Sequence, residues 1–269
     1  MEFSYNGNVL FYEKYGEGHP IVILHSMGTD HRSMKAWIEP IFEGTYGFER
    51  IYIDVPAHGK SIITADIQST QQMVNGLLQF IENEIGSNSF SLIGHSFGGY
   101  LAQGIMNQKV DQVRGICLLA PALHLKERSI PDKVVVERDQ DLLSSIEPSI
   151  RDAFETLFVY QNKGNYKLFL NEVQPGRVLA DRDFLQSNWR EKGYFLHQDP
   201  FENRTRLKQP ALIILGKQDN ICGYKDHLMF LEVFDHVTFS ILDQAGHLMT
   251  IEQRKLVQEL VSDWIINKL

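Results

Sequence analysis

Phe90-Ser91-Leu92-Ile93-Gly94-His95-Ser96-Phe97-Gly98-Gly99-Tyr100 is the stretch that decides the fold. An apolar run with strand character meets Gly94-His95-Ser96-Phe97-Gly98, and a helix-like pattern follows at once. Tyr100, Leu101, Ile105 and Met106 form its apolar side. This is the G-x-S-x-G signature in a strand–turn–helix setting. So sharp a turn crowds its neighbours, and glycines two residues before and two after Ser96 remove the Cβ atoms that would clash. The hydroxyl is thereby presented at a helix N-terminus, whose free N–H groups and dipole favour negative charge.

Outward from this turn the chain alternates. Ile21–Leu24, Ile51–Ile53, Val113–Leu119, Ala211–Leu215 and Val237–Leu242 read as strands, and the continuous apolar runs suit strands buried on both faces. Helical patterns run from about Arg32 to Phe42, Thr70 to Ile85, Tyr224 to Phe234 and Glu252 to Asn267. Asn6-Gly7-Asn8 between two partly alternating runs predicts an N-terminal hairpin. From about 123 to 206 the alternation stops, and the segment reads as helices without strands between them. Its apolar faces are Phe154, Leu157 and Phe158; Tyr166, Phe169, Leu170 and Val173; and Phe184, Leu185, Trp189 and Phe195. The expectation is an α/β protein: a mostly parallel sheet with helices on both faces, residues 1–122 and 207–269 as its core and residues 123–206 as a helical insertion.

The composition narrows the function. A net charge of −8 argues against nucleic acid or an anionic membrane as the main partner. No window of eighteen unbroken apolar residues predicts a membrane span. The opening Met1–Asn6 has neither a basic nor an apolar leader pattern, so a cytoplasmic protein is expected. Cys117 and Cys222 stand outside any CxxC spacing, and no metal or cofactor motif is legible. Gly94–Gly99 lacks the G-x-x-x-x-G-K-[ST] pattern of a phosphate cradle. The expected partner is a small-molecule substrate, without a cofactor.

A serine hydroxyl is a poor nucleophile until a base takes its proton. In sheets of this kind ligands gather at the carboxyl ends of strands, which selects His247, in the loop Asp243–His247, from the ten histidines. An imidazole in that role needs a carboxylate on its other nitrogen. Asp219 follows the strand after the insertion. Asp243 is too close in sequence to His247, and Glu127 lies too far past its strand. Each choice has a plain structural reading beside it: a glycine-rich turn for Ser96, a loop histidine for His247, a helix N-cap for Asp219. His25 and His95 are expected to pack or hydrogen-bond locally. His58, His124 and His197 are weaker candidates for substrate contact, and Cys222 either lines the site or fills space beside it.

Ser96, Asp219 and His247 stand in the chain order of the α/β-hydrolases, and over nearly its whole length the sequence resembles an α/β-hydrolase-fold protein with a helical cap. The resemblance implies an oxyanion hole made by the backbone N–H groups of Met27 and Phe97. Here His25-Ser26 stands where the family usually has His-Gly. Asp54-Val55-Pro56-Ala57-His58-Gly59-Lys60-Ser61 resembles its D-x-P-G-x-G-x-S loop, with Ala57 for a glycine. The activity implied is hydrolysis of a small or medium carboxylic ester through an acyl-enzyme, falling on the acid side as the histidine gains a proton. Relatives that cleave carbon–carbon bonds share the same residues and stay open. Proline iminopeptidases usually show Gly-Gly-Ser-Trp-Gly at the turn, which weakens an aminopeptidase reading but leaves it open, because cap carboxylates such as Glu172 or Glu155 could bind an amine. A ligand receptor with little turnover is the rival from another class.

Overall fold

The structure, a computed structural model, describes residues 1–64, 66–202 and 206–269. In chain order the first part comprises β1 (Glu2–Tyr5), β2 (Asn8–Tyr15), β3 (His19–Leu24), α1 (Arg32–Ile38), β4 (Phe48–Ile53), α2 (Thr70–Glu84), β5 (Phe90–His95), α3 (Phe97–Gln108) and β6 (Val113–Leu119). The segment that follows contains β7 (Glu137–Arg138), α4 (Gln140–Ser145), α5 (Pro148–Leu157), β8 (Tyr160–Gln161), α6 (Lys163–Leu168), α7 (Gln174–Leu179), α8 (Arg182–Gln186) and α9 (Trp189–Lys192). The chain returns to the sheet with β9 (Ala211–Gly216), α10 (Phe230–Val233), β10 (Val237–Leu242), α11 (Met249–Glu252) and α12 (Arg254–Lys268).

The sheet has eight strands in the order β1-β2-β4-β3-β5-β6-β9-β10. β1 and β2 form the expected hairpin, β2 joins β4 antiparallel, and every pairing from β4 to β10 is parallel. The apolar runs show why. Val22 and Leu24 pack into one core with α2 and α3, whereas Ile21 and Ile23 pack into a second core with Trp37 of α1 and Val257, Val261 and Trp264 of α12. Successive side chains thus feed opposite faces, and both faces are covered by helices. Residues just past the carboxyl ends of β3, β5, β9 and β10 share one edge of this layer.

Three local readings change. The helix expected through Phe42 leaves α geometry after Ile38, and Pro40 opens a 3₁₀ turn at Glu39–Phe42 instead. The helix expected from Tyr224 is a 3₁₀ turn, Lys225–Met229, followed by the single turn of α10. The insertion is not free of strands: β7 and β8 pair in parallel over two residues each, too short to leave an alternation in the sequence. Phe154, Phe158, Phe169 and Val173 make a separate core that also takes in Leu248 and Ile251 from beside His247, whereas Phe184 and Trp189 pack into the core shared with α2 and α3.

Candidate active site

Ser96 sits between β5 and α3 at φ 53°, ψ −117°, a backbone conformation that L side chains rarely adopt. The two flanking glycines make the turn possible. A Cβ on Gly94 would lie 2.6 Å from the Gly98 carbonyl oxygen, and one on Gly98 would lie 2.4 Å from the carbonyl oxygens of Leu24 and His25. Hydrogen bonds fix the strained residue: its N–H donates to Leu119 O at 2.9 Å, and its carbonyl accepts from Ala122 N at 2.9 Å and Tyr100 N at 3.1 Å.

Asp219 follows β9 and is fully buried. Its Oδ1 accepts from the amides of Ile221 at 2.7 Å and Cys222 at 3.0 Å, and its Oδ2 accepts from His247 Nδ1 at 2.9 Å. No helix starts here, since the next helical turn begins at Lys225, so the helix N-cap reading is not met; one oxygen organises a turn and the other accepts from the imidazole. Burial works to raise the carboxyl, but attraction to the His247 ring and the hydrogen bonds from that ring and the two amides outweigh it. The group is held below its usual range. As an ionised acceptor it fixes the proton of His247 on Nδ1 and leaves Nε2 as the free nitrogen.

The loop carrying His247 is held from three sides. His95 Nε2 donates to the His247 carbonyl at 3.0 Å, Gln218 Oε1 accepts from Ala245 N at 3.1 Å, and Glu252 Oε2 accepts from Gly246 N at 2.7 Å. The other oxygen of Glu252 accepts from Val159 N at 2.7 Å and Tyr160 N at 3.1 Å. One carboxylate therefore ties the histidine loop to the inserted segment. Burial pushes it above the ordinary glutamate value despite these three donors. His25 has a matching role beneath the loop Ser26–Thr29. Its Nδ1 donates to Ser26 O at 2.8 Å and its Nε2 accepts from Val55 N at 3.0 Å. The local roles expected for His25 and His95 are thus observed. Ala57 adopts φ 69°, the conformation for which the resembling loop uses glycine.

Ser96, Phe97, Met27, His247 and Cys222 all line one cavity of about 500 Å³, within the range of small-molecule sites. Among the described residues no acceptor takes the N–H of Met27 or Phe97. Nor does a hydrogen bond join Ser96 Oγ to His247; the hydroxyl faces the Cys222 thiol, which burial and the charge of Asp219 push well above the ordinary cysteine value. His58, His124 and His197 stay outside the lining. His58 is buried against His25, His124 bonds the Tyr100 hydroxyl at 2.6 Å, and His197 borders a separate surface groove.

Two clusters have metal-compatible residue types, Asp219–Cys222–His247 and Asp30–His31–Asp54. Several of their ligand atoms are engaged within the protein. Asp219 and His247 bond each other, Asp54 accepts from His31 N, His31 Nδ1 and Lys60 N, and Asp30 pairs with Arg32.

What the sequence did not signal is the charge of the cavity. Lys126, Arg128, Arg177 and Arg190 line it, whereas among the described residues no aspartate or glutamate does. The role of Glu252 was equally hidden, because it read only as the first residue of the last helix.

Sheet order, turn geometry and the edge at which these residues gather define the α/β-hydrolase class. A family model described as "Serine aminopeptidase, S33" matches residues 19–254, and the chain belongs to that family of hydrolases. It is 22% identical over 270 residues to the (E)-2-((N-methylformamido)methylene)succinate hydrolase of Acinetobacter baylyi, which spans 98% of this chain and 97% of that protein. It is 24% identical over 261 residues to monoacylglycerol lipase ABHD6 of Homo sapiens, over 91% of this chain and 74% of that one. An alpha/beta superfamily hydrolase from Oenococcus oeni PSU-1, solved by crystallography, superposes with a TM-score of 0.86 at 26% identity, covering 100% of this chain and 98% of that one. Among the described residues no helix is long and apolar enough to cross a membrane.

Proposed function

We propose that this protein is a serine hydrolase that cleaves a small or medium carboxylic ester through an acyl-enzyme, with Ser96 as nucleophile, His247 as base and Asp219 as its orienting acid. The observation that carries the reading is the buried Asp219–His247 bond, which leaves Nε2 free in the same cavity as a serine held on a strained turn. The Ser96 hydroxyl rotates from the Cys222 thiol toward Nε2 when substrate enters; such bonds commonly tighten only in the substrate complex. Oγ then attacks the carbonyl carbon as its proton passes to Nε2. The oxyanion that forms accepts the N–H groups of Met27 and Phe97. Collapse breaks the bond to the alcohol, which leaves with the proton from Nε2. Water then repeats the sequence on the acyl-serine and releases the acid. In this reading residues 123–206 act as a cap that roofs the cavity and selects the substrate.

Lipase and hydrolase relatives support the ester reading at the level of class. The aminopeptidase name of the family fits this chain less well. Binding a substrate ammonium needs an unpaired carboxylate, yet Glu172 and Glu155 are paired with Arg254 and Arg138, and neither lines the cavity. The test is chemical. The native protein should label covalently with a fluorophosphonate at Ser96 and turn over short 4-nitrophenyl esters. Ser96→Ala should abolish both, with turnover falling by about 10⁴-fold or more. Labelling without repeated turnover across a broad ester panel would point to the low-turnover receptor, and turnover that survives the change would move the nucleophile elsewhere.

A further inference from the structure

Among the described residues some arginines are paired with an acid and some are not, and the unpaired ones are Arg114 and Arg182, outside the cavity, and three on its lining. Arg32, Arg50, Arg138, Arg151, Arg206 and Arg254 each lie within salt-bridge distance of an aspartate or glutamate. Arg128, Arg177 and Arg190, which line the cavity, have no such partner among the described residues, and neither has Lys126. In a chain of net charge −8, four cations and, among the described residues, no aspartate or glutamate line this one cavity.

Arg177 is the most informative of the four. It is half-buried on α7, where Nη1 donates only to the neutral Gln174 Oε1 at 3.1 Å and the guanidinium lies 5.7 Å from the Phe169 ring centre. The charged group beside it is Arg182, a second cation, and burial together with that repulsion lowers its proton affinity. A partly desolvated guanidinium without a counter-charge is costly unless something supplies one. α7 also packs on the loop that presents Met27: a Cβ on Gly176 would lie 2.4 Å from Asp30 N. Arg190 reaches the same loop from α9, its Nη2 lying 2.8 Å from the Met27 sulfur. Two unpaired guanidinium groups thus flank the loop that borders Ser96.

We infer that the substrate carries a carboxylate in addition to the bond that is cleaved, and that Arg177, with Arg190 beside it, binds that carboxylate under the inserted segment. The inference rests on the serine-hydrolase reading for the position of the scissile bond. The arginines are binding residues: a guanidinium fork meets a carboxylate through paired N–H donors, and Lys126 and Arg128 add a field that draws anions to the cavity.

The test compares two esters with one acyl chain, mono-4-nitrophenyl glutarate with its free carboxylate and methyl 4-nitrophenyl glutarate without it. The native enzyme should favour the hemiester in kcat/KM by about tenfold or more. Arg177→Gln should reduce that ratio to near one, mainly through KM, and Arg177→Lys should restore part of it. Arg114→Gln removes an exposed cation outside the cavity and should leave the ratio unchanged. A native ratio at or below one overturns the inference. So does a ratio that Arg177→Gln, Arg190→Gln and the double variant all leave intact, or one that Arg114→Gln lowers equally. If Ser96→Ala still hydrolyses both esters, the nucleophile assignment fails while the ratio still judges the arginines. If the native enzyme hydrolyses neither, calorimetry with monomethyl glutarate decides: binding that Arg177→Gln weakens supports the inference, and absence of binding overturns it.

Discussion

The floor and the roof of the cavity are built on opposite principles. On the floor, at the ends of β5, β9 and β10, polar groups are paired within the protein: Asp219 accepts three hydrogen bonds, and the histidine loop is held through Gly246, Ala245 and the His247 carbonyl. On the roof, Lys126 and Arg128 in the loop after β6 and Arg177 and Arg190 on short helices have no acid within salt-bridge distance among the described residues. A floor whose dipoles are fixed in advance needs little reorganisation when charge develops on a substrate. A roof with unmatched charge gains its partner only when a ligand arrives. In the proposed function the first does the chemistry and the second selects the substrate.

The largest way to break that contrast is at the floor's buried acid. Asp219→Asn keeps the shape but can turn an amide N–H toward His247 Nδ1, which favours the wrong tautomer, and kcat should fall by about 10³–10⁴-fold. The same change should show in stability. The folded carboxyl lies below its ordinary value, so it contributes stability above the unfolded value of about 3.9 and loses it as pH falls through the lower folded one. Denaturant unfolding of Asp219→Asn should therefore show a larger deficit at pH 7 than near pH 3. A deficit that is the same at both would mean that the ionised form is not what the fold favours.

A smaller effect is expected where floor meets roof. Glu252 joins Gly246 to Val159 and Tyr160. Glu252→Gln puts an NH₂ group against at least one of those N–H donors, and the orphaned contact should cost about 1–2 kcal/mol. If the two regions are coupled through this carboxylate, turnover should fall by about tenfold even though Glu252 does not line the cavity. Stability lost with turnover intact would show that the histidine loop holds its place without the tie.

The floor was legible because its chemistry requires particular residues at particular turns. Gly94 and Gly98 are demanded by atoms 2.4–2.6 Å from where their side chains would be, and the chain order of serine, acid and histidine past successive strands picked out Asp219 and His247, which the fold joins by a hydrogen bond. The roof was not legible for equally physical reasons. Its helices are ten residues or shorter, one passage runs through a π-helical turn at Phe169–Val173, and its strand pair spans two residues on each side. Periodicity needs more length than that. Tertiary placement alone separates paired from unpaired arginines, so Arg177 and Arg254 look alike in sequence and stand in opposite situations in the fold.

The smallest effect sharpens the floor itself. Cys222 faces Ser96, its thiol atom lies within 4.8 Å of ligand atoms of Asp219 and His247, and its own amide helps to hold Asp219. Nucleophilic sulfur near an imidazole could be mistaken for the reactive group. Burial and the neighbouring carboxylate keep this thiol protonated, however, and a protonated thiol is neither a strong nucleophile nor a quick target for alkylation. The side chain then serves as packing beside the nucleophile, while the backbone N–H does the positioning, and an alanine retains that N–H. Cys222→Ala should leave kcat/KM within about threefold of native, and iodoacetamide should inactivate the native enzyme only slowly, far behind a fluorophosphonate. Loss of activity on the scale expected for Ser96→Ala, or rapid inactivation by iodoacetamide, would make the sulfur a participant and overturn the division of labour between this side chain and its own peptide group.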